Sequence, residues 1–268
     1  VNSELDKHKA DDDAFRTQYE LKWLLGVGQF ITREGLHALR GNFGPLKSCS
    51  EPVVVGIDSA KMPDKTILTV KNIKPIIKRD KNGNPELNDK GKPIILRPKS
   101  ILFWLRLQGD NYKDQFDAMC STLKNFSEIR AIAIDSTGQG DFLPDLFERE
   151  TGYQIVRVKF SLQSKDIMYK NLIQVVREKS TLYPGENCLE KDEFEQELLD
   201  LQKEYKGEYL SCHHPKDAKA HDDYPDSWAL AEYAEMWINE NAVDLDVFDT
   251  AGPVIHSNDT EDDLLFIM

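Results

Sequence analysis

The sequence lacks several features that would place it in common protein classes. No apolar run approaches the roughly 20 residues that a membrane-spanning helix needs, and the first residues are charged where a secretory signal has an apolar core. The four cysteines have no paired spacing, which argues against a disulfide framework and against a zinc site. No Gly-x-x-x-x-Gly-Lys-Ser/Thr phosphate loop is present. We therefore expect a soluble intracellular protein without a P-loop ATPase motor.

Positive charge is scarce overall but concentrated in one stretch. The formal net charge is -13, which is unfavourable for a nucleic-acid partner because Lys and Arg drive phosphate binding. Between Lys71 and Arg106, however, ten basic residues stand against three acids. Turn signals at Asn82-Gly83 and Lys90-Gly91 predict that residues 71–99 form a projecting basic β-hairpin. Its candidate DNA contacts are Lys71, Lys74, Lys78, Arg79 and Lys81.

The apolar pattern predicts an α/β fold. Two continuous apolar runs that end in acids, 53–58 and 129–135, indicate buried central strands, and 66–70 predicts a hairpin partner for the first. Further strands are expected at 101–107 and 154–158, and helices at 112–126, 142–150, 167–179, 192–205 and 226–239. This order predicts a mixed sheet of five or more strands with helices on both faces and the basic hairpin as an insertion.

Composition divides the chain into three parts. Residues 1–50 predict a helical linker, and from the start at Val1 rather than Met we expect either a fragment of a longer polypeptide or a processed product. Residues 51–240 hold the predicted α/β domain. Residues 241–268 carry seven acids and no Lys or Arg, which predicts a flexible acidic tail. Its apolar end predicts a peptide that docks on a partner protein.

Acidic side chains stand where the predicted strands and the last helix begin or end. Asp58 and Asp135 each end a buried strand, where ionisation is costly unless a cation compensates the charge. Asp222, Asp223 and Asp226 cluster at the start of the last helix. Carboxylates that converge from distant parts of a chain suit Mg²⁺ or Mn²⁺. The alternative is that each acid merely caps a turn or a helix.

Three motifs together resemble the C-terminal nuclease domain of the large terminase subunit of tailed bacteriophages. They are Val55-Gly-Ile-Asp58-Ser-Ala, Ala133-Ile-Asp135-Ser-Thr-Gly-Gln-Gly140 and His221-Asp-Asp-Tyr-Pro-Asp226-Ser-Trp-Ala-Leu-Ala. The upstream Phe15-Arg-x-x-Tyr19-Glu is similar to the family's link between its ATPase and nuclease domains. The resemblance covers residues 13–239 and implies a ribonuclease H-like fold, related to that of Holliday-junction resolvases.

The resemblance implies a metal-dependent endonuclease that cuts concatemeric double-stranded viral DNA during genome packaging. Two divalent ions, Mg²⁺ or Mn²⁺, would hydrolyse the phosphodiester. Asp58 would bridge both ions, Asp135 would bind one, and Asp223 with Asp226 would complete the set. Asp222 can substitute for either of these neighbours, and Asp64 would be an outer ligand.

The resemblance also implies a setting and partners. The partners would be double-stranded DNA, an ATPase domain absent from this sequence, the small terminase subunit and the portal protein, in the cytoplasm of the infected bacterium and away from any membrane. Two alternatives stay open. One is a non-catalytic docking module for a portal-like partner, and the other is a junction resolvase or integrase on the same fold.

Overall fold

The computed structural model describes residues 28–59, 65–109, 111–137, 142–215 and 221–245. Its strands are β1 (Gly28–Gln29), β2 (Arg40–Gly41), β3 (Val53–Asp58), β4 (Thr66–Asn72), β5 (Ile76–Ile77), β6 (Ile95–Arg97), β7 (Ile101–Leu107), β8 (Ile129–Asp135), β9 (Ile155–Val158), β10 (Tyr183–Pro184), β11 (Gln202–Lys206) and β12 (Tyr209–His213). Its helices are α1 (Arg33–His37), α2 (Tyr112–Leu123), α3 (Phe142–Thr151), α4 (Leu162–Glu178), α5 (Lys191–Asp200) and α6 (Asp223–Leu245). Within these ranges, no helix is both long and apolar enough to cross a membrane.

A five-stranded mixed sheet in the order β7-β4-β3-β8-β9 forms the centre of the fold. Strand β3 pairs antiparallel with β4 and parallel with β8, and β9 pairs parallel with β8. Helices α4 and α6 bury one face of the sheet, and α2 and α3 bury the other. The mixed sheet with helices on both faces is therefore confirmed.

The last helix lies directly against the central strands because residue 56 is a glycine. A Cβ atom built on Gly56 would lie 2.1 Å from the carbonyl oxygen of Ser227 and 2.4 Å from the backbone nitrogen of Ala231. The Ser227 hydroxyl also hydrogen-bonds to the Thr69 hydroxyl of β4 at 2.7 Å. These small residues let the backbone of α6 touch the sheet two residues before β3 ends.

Lys71 belongs to the core, so its prediction as a DNA-binding residue is wrong. Its side chain is fully buried, and its ammonium forms ion pairs with Glu232 and, at 2.6 Å, with Glu235 of α6. Strand β4 lies between β7 and β3 and is buried along its whole length. A lysine near its end therefore has no route to solvent, and two acids neutralise its charge.

The contacts of α6 show the direction in which it runs. Ser227 contacts Thr69 and Glu232 contacts Lys71. The step of two residues along β4 and the step of five residues along α6 both cover about 7 Å. Helix α6 therefore runs alongside β4 towards Asn72. It thus leads from the sheet end where β3 terminates to the end where β4 terminates. The seven residues of β4 separate these two ends by about 20 Å.

The basic insertion, residues 73–99, is built differently from the single hairpin predicted. Strands β5 and β6 form its stem, and beyond them the chain makes two further turns. Lys78 donates its backbone N–H to Ile94, Ile94 donates to Glu86, and Glu86 donates to Lys78. This closed cycle of backbone hydrogen bonds joins three segments, and we name residues 73–99 the trefoil insertion.

The two turns of the trefoil insertion repeat one pattern, Asp/Asn-x-x-Gly-x-Pro, eight residues apart. Asp80 Oδ1 accepts two backbone N–H groups at 2.8 and 2.9 Å, and Asn88 Oδ1 accepts two at 2.9 and 3.1 Å. Gly83 and Gly91 have φ of 84° and 69°, where side chains are strained. The two turn signals of the sequence therefore form two separate turns, each with its glycine at the position of positive φ.

The helix predicted over 192–205 is wrong beyond Asp200, where α5 ends. Residues 202–206 form β11, which pairs antiparallel with both β12 and β1. Gly207, with φ of 68°, makes the turn that joins β11 to β12. The hairpin buries Leu210 and Cys212, and this packing outweighs the helical preference of the charged segment.

Part of the segment predicted as a linker packs on the domain. Four apolar residues of this part are buried in the same core as α4 and α6: Phe30, Ile31, Leu36 and Leu39. Residues 1–27, which include the Phe15 motif, lie outside the described residues, as do Asp64 and residues 246–268.

The close approach of α6 predicts that Gly56→Ala is destabilising. The added methyl group must displace the helix backbone, and overpacking of this kind costs about 1–3 kcal/mol. The measurement is chemical denaturation monitored by circular dichroism. Gly28→Ala is the matched control, because the nearest atom to its Cβ would be the Lys203 Cε at 3.6 Å. Equal losses in the two variants would contradict this account of α6.

Candidate metal centre

Five acids predicted as metal ligands lie at one end of the central sheet. Asp58 and Asp135 end the adjacent parallel strands β3 and β8, and the register of these strands places them side by side. Asp223 and Asp226 lie in the first turn of α6, and Asp222 directly precedes it. Because α6 touches β3 just before the strand ends, its first turn comes to the ends of both strands.

Asp58 is the acid on which the other charges converge. Burial raises the pKa of its carboxyl well above the ordinary value of 3.8. The carboxylates of Asp226, Asp223 and Asp135 raise it further, and the ammonium of Lys165 lowers it. Three acids that are far from Asp58 in the sequence, or on another strand, therefore lie near enough in the folded chain to repel its carboxylate.

Two groups of α4 that the sequence analysis did not identify hold Asp226. The Lys165 ammonium lies 2.7 Å from its Oδ2 atom, and the Tyr169 hydroxyl donates to its Oδ1 atom. Burial raises the pKa of Asp226, and the charge of Lys165 opposes this only in part. Burial would lower the pKa of Lys165, but Asp226, Asp222 and Asp58 outweigh it and raise that pKa. Lys165 is thus a fixed positive charge within the acidic cluster.

The start of α4 explains why these two residues were missed. The helix was predicted to begin at Ile167, whereas Ser161 is its N-cap and forms a capping box with Ser164. A serine at the third helical position is a weaker signal than the usual Glu or Gln. Because the helix begins at Leu162, it includes Lys165 as well as Tyr169. These two residues are four positions apart and therefore lie on the same face of the helix.

Two histidines border the acids of α6. The Nδ1 atom of His214 lies 3.3 Å from Oδ1 of Asp222, and the Nδ1 atom of His221 lies 4.0 Å from Oδ2 of Asp223. Asp222 is more exposed than Asp223, which is buried. The charge of Asp223 acts on Asp58, whereas the charge of Asp222 acts on Asp226 and Lys165.

Glu197 of α5 is a further buried acid beside the start of α6. Its Oε2 atom accepts the backbone N–H of Tyr224 at 2.8 Å, which satisfies one of the unpaired donors of the helix N-terminus. Burial raises the pKa of Glu197 to about 8, and the charge of Asp223 adds to the increase. Glu197 lies within the highly charged helix predicted over 192–205, and no local signal there marks it as buried.

The acids fit a hard divalent cation by their chemistry, although the described residues hold no group of three His, Cys, Asp or Glu side chains arranged to bind one. Two of these acids instead contact other groups of the protein. Asp226 is turned to Lys165, and Asp135 accepts the backbone N–H of Thr137 at 2.9 Å. The cluster around Asp58 nevertheless offers carboxylate oxygens whose mutual repulsion a cation would relieve.

No family model and no curated protein matches the chain by sequence. Solved structures match it by fold. The large terminase nuclease from thermophilic phage G20c, crystallised with bound magnesium, matches with a TM-score of 0.55 at 16% identity, over 78% of this chain and 97% of its own. The nuclease domain of the Thermus phage P74-26 large terminase matches with a TM-score of 0.51 at 14% identity, over 76% of this chain and 94% of its own.

A longer protein also matches. The HK97 bacteriophage large terminase has a TM-score of 0.53 at 10% identity over 86% of this chain, which spans 48% of that protein. At such identities the likeness shows the fold alone. The resemblance inferred from the three motifs is thus confirmed at that level: the chain has the mixed α/β fold of large terminase nuclease domains.

Proposed function

We propose that this chain is a metal-dependent DNA endonuclease that cuts concatemeric double-stranded viral DNA during genome packaging. The observation that carries the proposal is the convergence of Asp135, Asp223 and Asp226 on the buried Asp58. The shared fold with the G20c nuclease, which was crystallised with magnesium, supports it. By the same likeness, its setting would be the cytoplasm of the infected bacterium, beside an ATPase domain, a small terminase subunit and a portal protein.

We propose a role for each acid. Asp58, whose pKa is raised by the charges of the other three carboxylates, would bridge two divalent ions, Mg²⁺ or Mn²⁺. Asp135 would hold one ion from the end of β8, and Asp223 and Asp226 would hold the other from α6. Asp222 lies beside His214, and its charge acts on Asp226 and Lys165, so it would substitute for Asp223 or Asp226 as a ligand. Asp64 stays an expected outer ligand from the sequence.

The bound ions would activate water and stabilise the charge that develops on the leaving oxygen of the phosphodiester. The residues of the chain prepare the site for this reaction. Asp58 and Asp226 are buried, so little water surrounds them. Their ionised carboxylates would therefore attract a cation more strongly than exposed carboxylates would. Lys165 offsets part of the acidic charge and favours the ionised form of Asp226, because its ammonium lies 2.7 Å from that carboxylate.

DNA would also contact the trefoil insertion. Lys74, Lys78, Arg79 and Lys81 are exposed there, as a phosphate contact requires. The insertion begins about 20 Å from the acids, because β4 separates them. At 3.4 Å per base pair, a duplex would reach both surfaces if it extended about six base pairs beyond the point of cleavage.

Removing single carboxylates provides the main test. Asp58→Asn and Asp135→Asn should abolish nicking of plasmid DNA in Mn²⁺, because a neutral amide cannot bridge two cations at residue 58 or replace the charged ligand of one cation at residue 135. The raised pKa of Asp58 makes the wild-type fold less stable as pH rises above 3.8 in chelator. Asp58→Asn should therefore melt no lower than the wild type at pH 7 in chelator.

The same experiment measures metal binding. At a concentration of about 100 times Kd, a cation that binds only the native state stabilises it by about 2.7 kcal/mol, and this gain should be lost in Asp58→Asn. Asp117→Asn is the control, since Asp117 lies on α2 with 61% of its side chain exposed. Variants that still cut, or that lose activity only by unfolding, would favour a non-catalytic docking module. Preferential cutting of branched over linear duplex would favour a junction resolvase.

Charge reversal tests the basic surface. The combined variant Lys78→Glu, Arg79→Glu and Lys81→Glu should weaken binding to duplexes of any sequence and reduce the salt slope by about 0.9 for each lost phosphate contact. Fluorescence anisotropy at several salt concentrations measures both quantities. Lys113→Glu, Lys124→Glu and Lys179→Glu form the charge-matched control, because all three lysines are exposed outside the insertion. If the two triple variants bind alike, the insertion does not contact DNA.

A further inference from the structure

The trefoil insertion carries an apolar groove with a basic rim. The groove has a volume of about 600 Å³ and is lined by apolar Pro75, Ile77, Pro93 and Ile95 and by basic Lys74, Arg79 and Lys92, together with Glu51 and Asn88. Ile95, which lines the groove, is 57% exposed. Apolar surface of this kind, bordered by charge, is typical of a site that binds another segment or protein.

The basic rim retains charge that other side chains do not neutralise. Arg79 lies 3.5 Å from Glu51. Among the described ion pairs, by contrast, Lys74 and Lys92 have no acidic partner. The whole insertion, residues 73–99, has eight basic residues and three acids in a chain of net charge -13. An occupant of the groove should therefore combine acidic with apolar side chains.

The chain itself contains such a segment. Residues 259–268 read Asp-Thr-Glu-Asp-Asp-Leu-Leu-Phe-Ile-Met, with four acids followed by five apolar residues. Residues 246–268 as a whole contain no Lys or Arg. The order of acids and apolar residues matches a groove whose apolar floor is bordered by lysines.

Helix α6 brings this segment to the correct end of the molecule. Glu235 pairs with Lys99, at the base of the insertion, at 2.6 Å. From that contact the helix continues to Leu245, which at 1.5 Å per residue places its end about 15 Å farther on, beyond the sheet end from which the insertion starts. The next 14 residues can span up to about 45 Å, so residue 259 can return to the groove.

We propose that residues 259–268 bind within the same chain in the groove of the trefoil insertion. Leu264 to Ile267 cover the apolar floor, and the preceding acids face Lys74 and Lys92. Docking would neutralise part of the basic surface, so the segment would compete with phosphate groups for it. The docking itself requires neither metal nor nuclease activity.

Photo-crosslinking of the full chain tests the proposal. A photo-reactive benzoylphenylalanine replaces Phe266, the protein is irradiated without DNA or metal, and crosslinked peptides are identified by mass spectrometry. We expect crosslinks within one chain to Ile77, Pro93 or Ile95. The yield should fall at least several-fold in Lys74→Glu with Lys92→Glu, and it should stay unchanged in the charge-matched control Lys113→Glu with Lys179→Glu. Circular dichroism verifies that each variant is folded.

Three outcomes would overturn the proposal. Crosslinks that occur only between two chains would make a second copy the occupant. Crosslinks that avoid the groove, or no crosslinks at all, would leave the segment for an external partner. If the groove variant and the control variant change the crosslinking yield equally, charge complementarity does not hold the segment in the groove, and the proposal loses its basis. Because the experiment contains no DNA, its failure is distinct from failure of the proposed nuclease function.

Discussion

The contact between α6 and β3 at Gly56 is the constraint on which the rest of the structure depends. It brings two backbones to a distance that no side chain at residue 56 would allow. Through it, the first turn of α6 reaches the ends of β3 and β8, and the acids of the helix meet Asp58. A helix displaced by the width of one methyl group would move its carboxylates away from the strand acids. The fold and the candidate metal centre therefore share one packing contact.

The acids of α6 have different charged neighbours at the start of the helix and farther along it. At its start, acids gather around Asp58 and the charge of Lys165 opposes them, so the described residues of this cluster have an excess of negative charge. Farther along, Glu232 and Glu235 surround the buried Lys71, and that cluster needs no external ion. Whether the charge of a buried acid is neutralised thus depends on the basic residues that the neighbouring strand or helix presents to it.

The trefoil insertion shows how local sequence can build a structure that adds to the domain without reshaping it. Its two turns are each closed by an Asp or Asn side chain and by a glycine with positive φ, so they need little support from the core. The insertion leaves and rejoins the sheet between neighbouring strands β4 and β7. The sheet consequently keeps its order while the insertion presents apolar and basic side chains to solvent.

The sequence by itself determined the buried strands, the acids that end them and the acidic start of the last helix, because apolar runs and strand-end carboxylates are local patterns. It also predicted the order of the main helices and strands. Only the tertiary structure decided that Lys71 is neutralised in the core, that residues 202–206 pair as a strand, and that Lys165 and Glu197 adjoin the acids. Each of these outcomes depends on a partner distant in the chain, and local patterns do not show which distant residue will supply the opposing charge or the neighbouring strand.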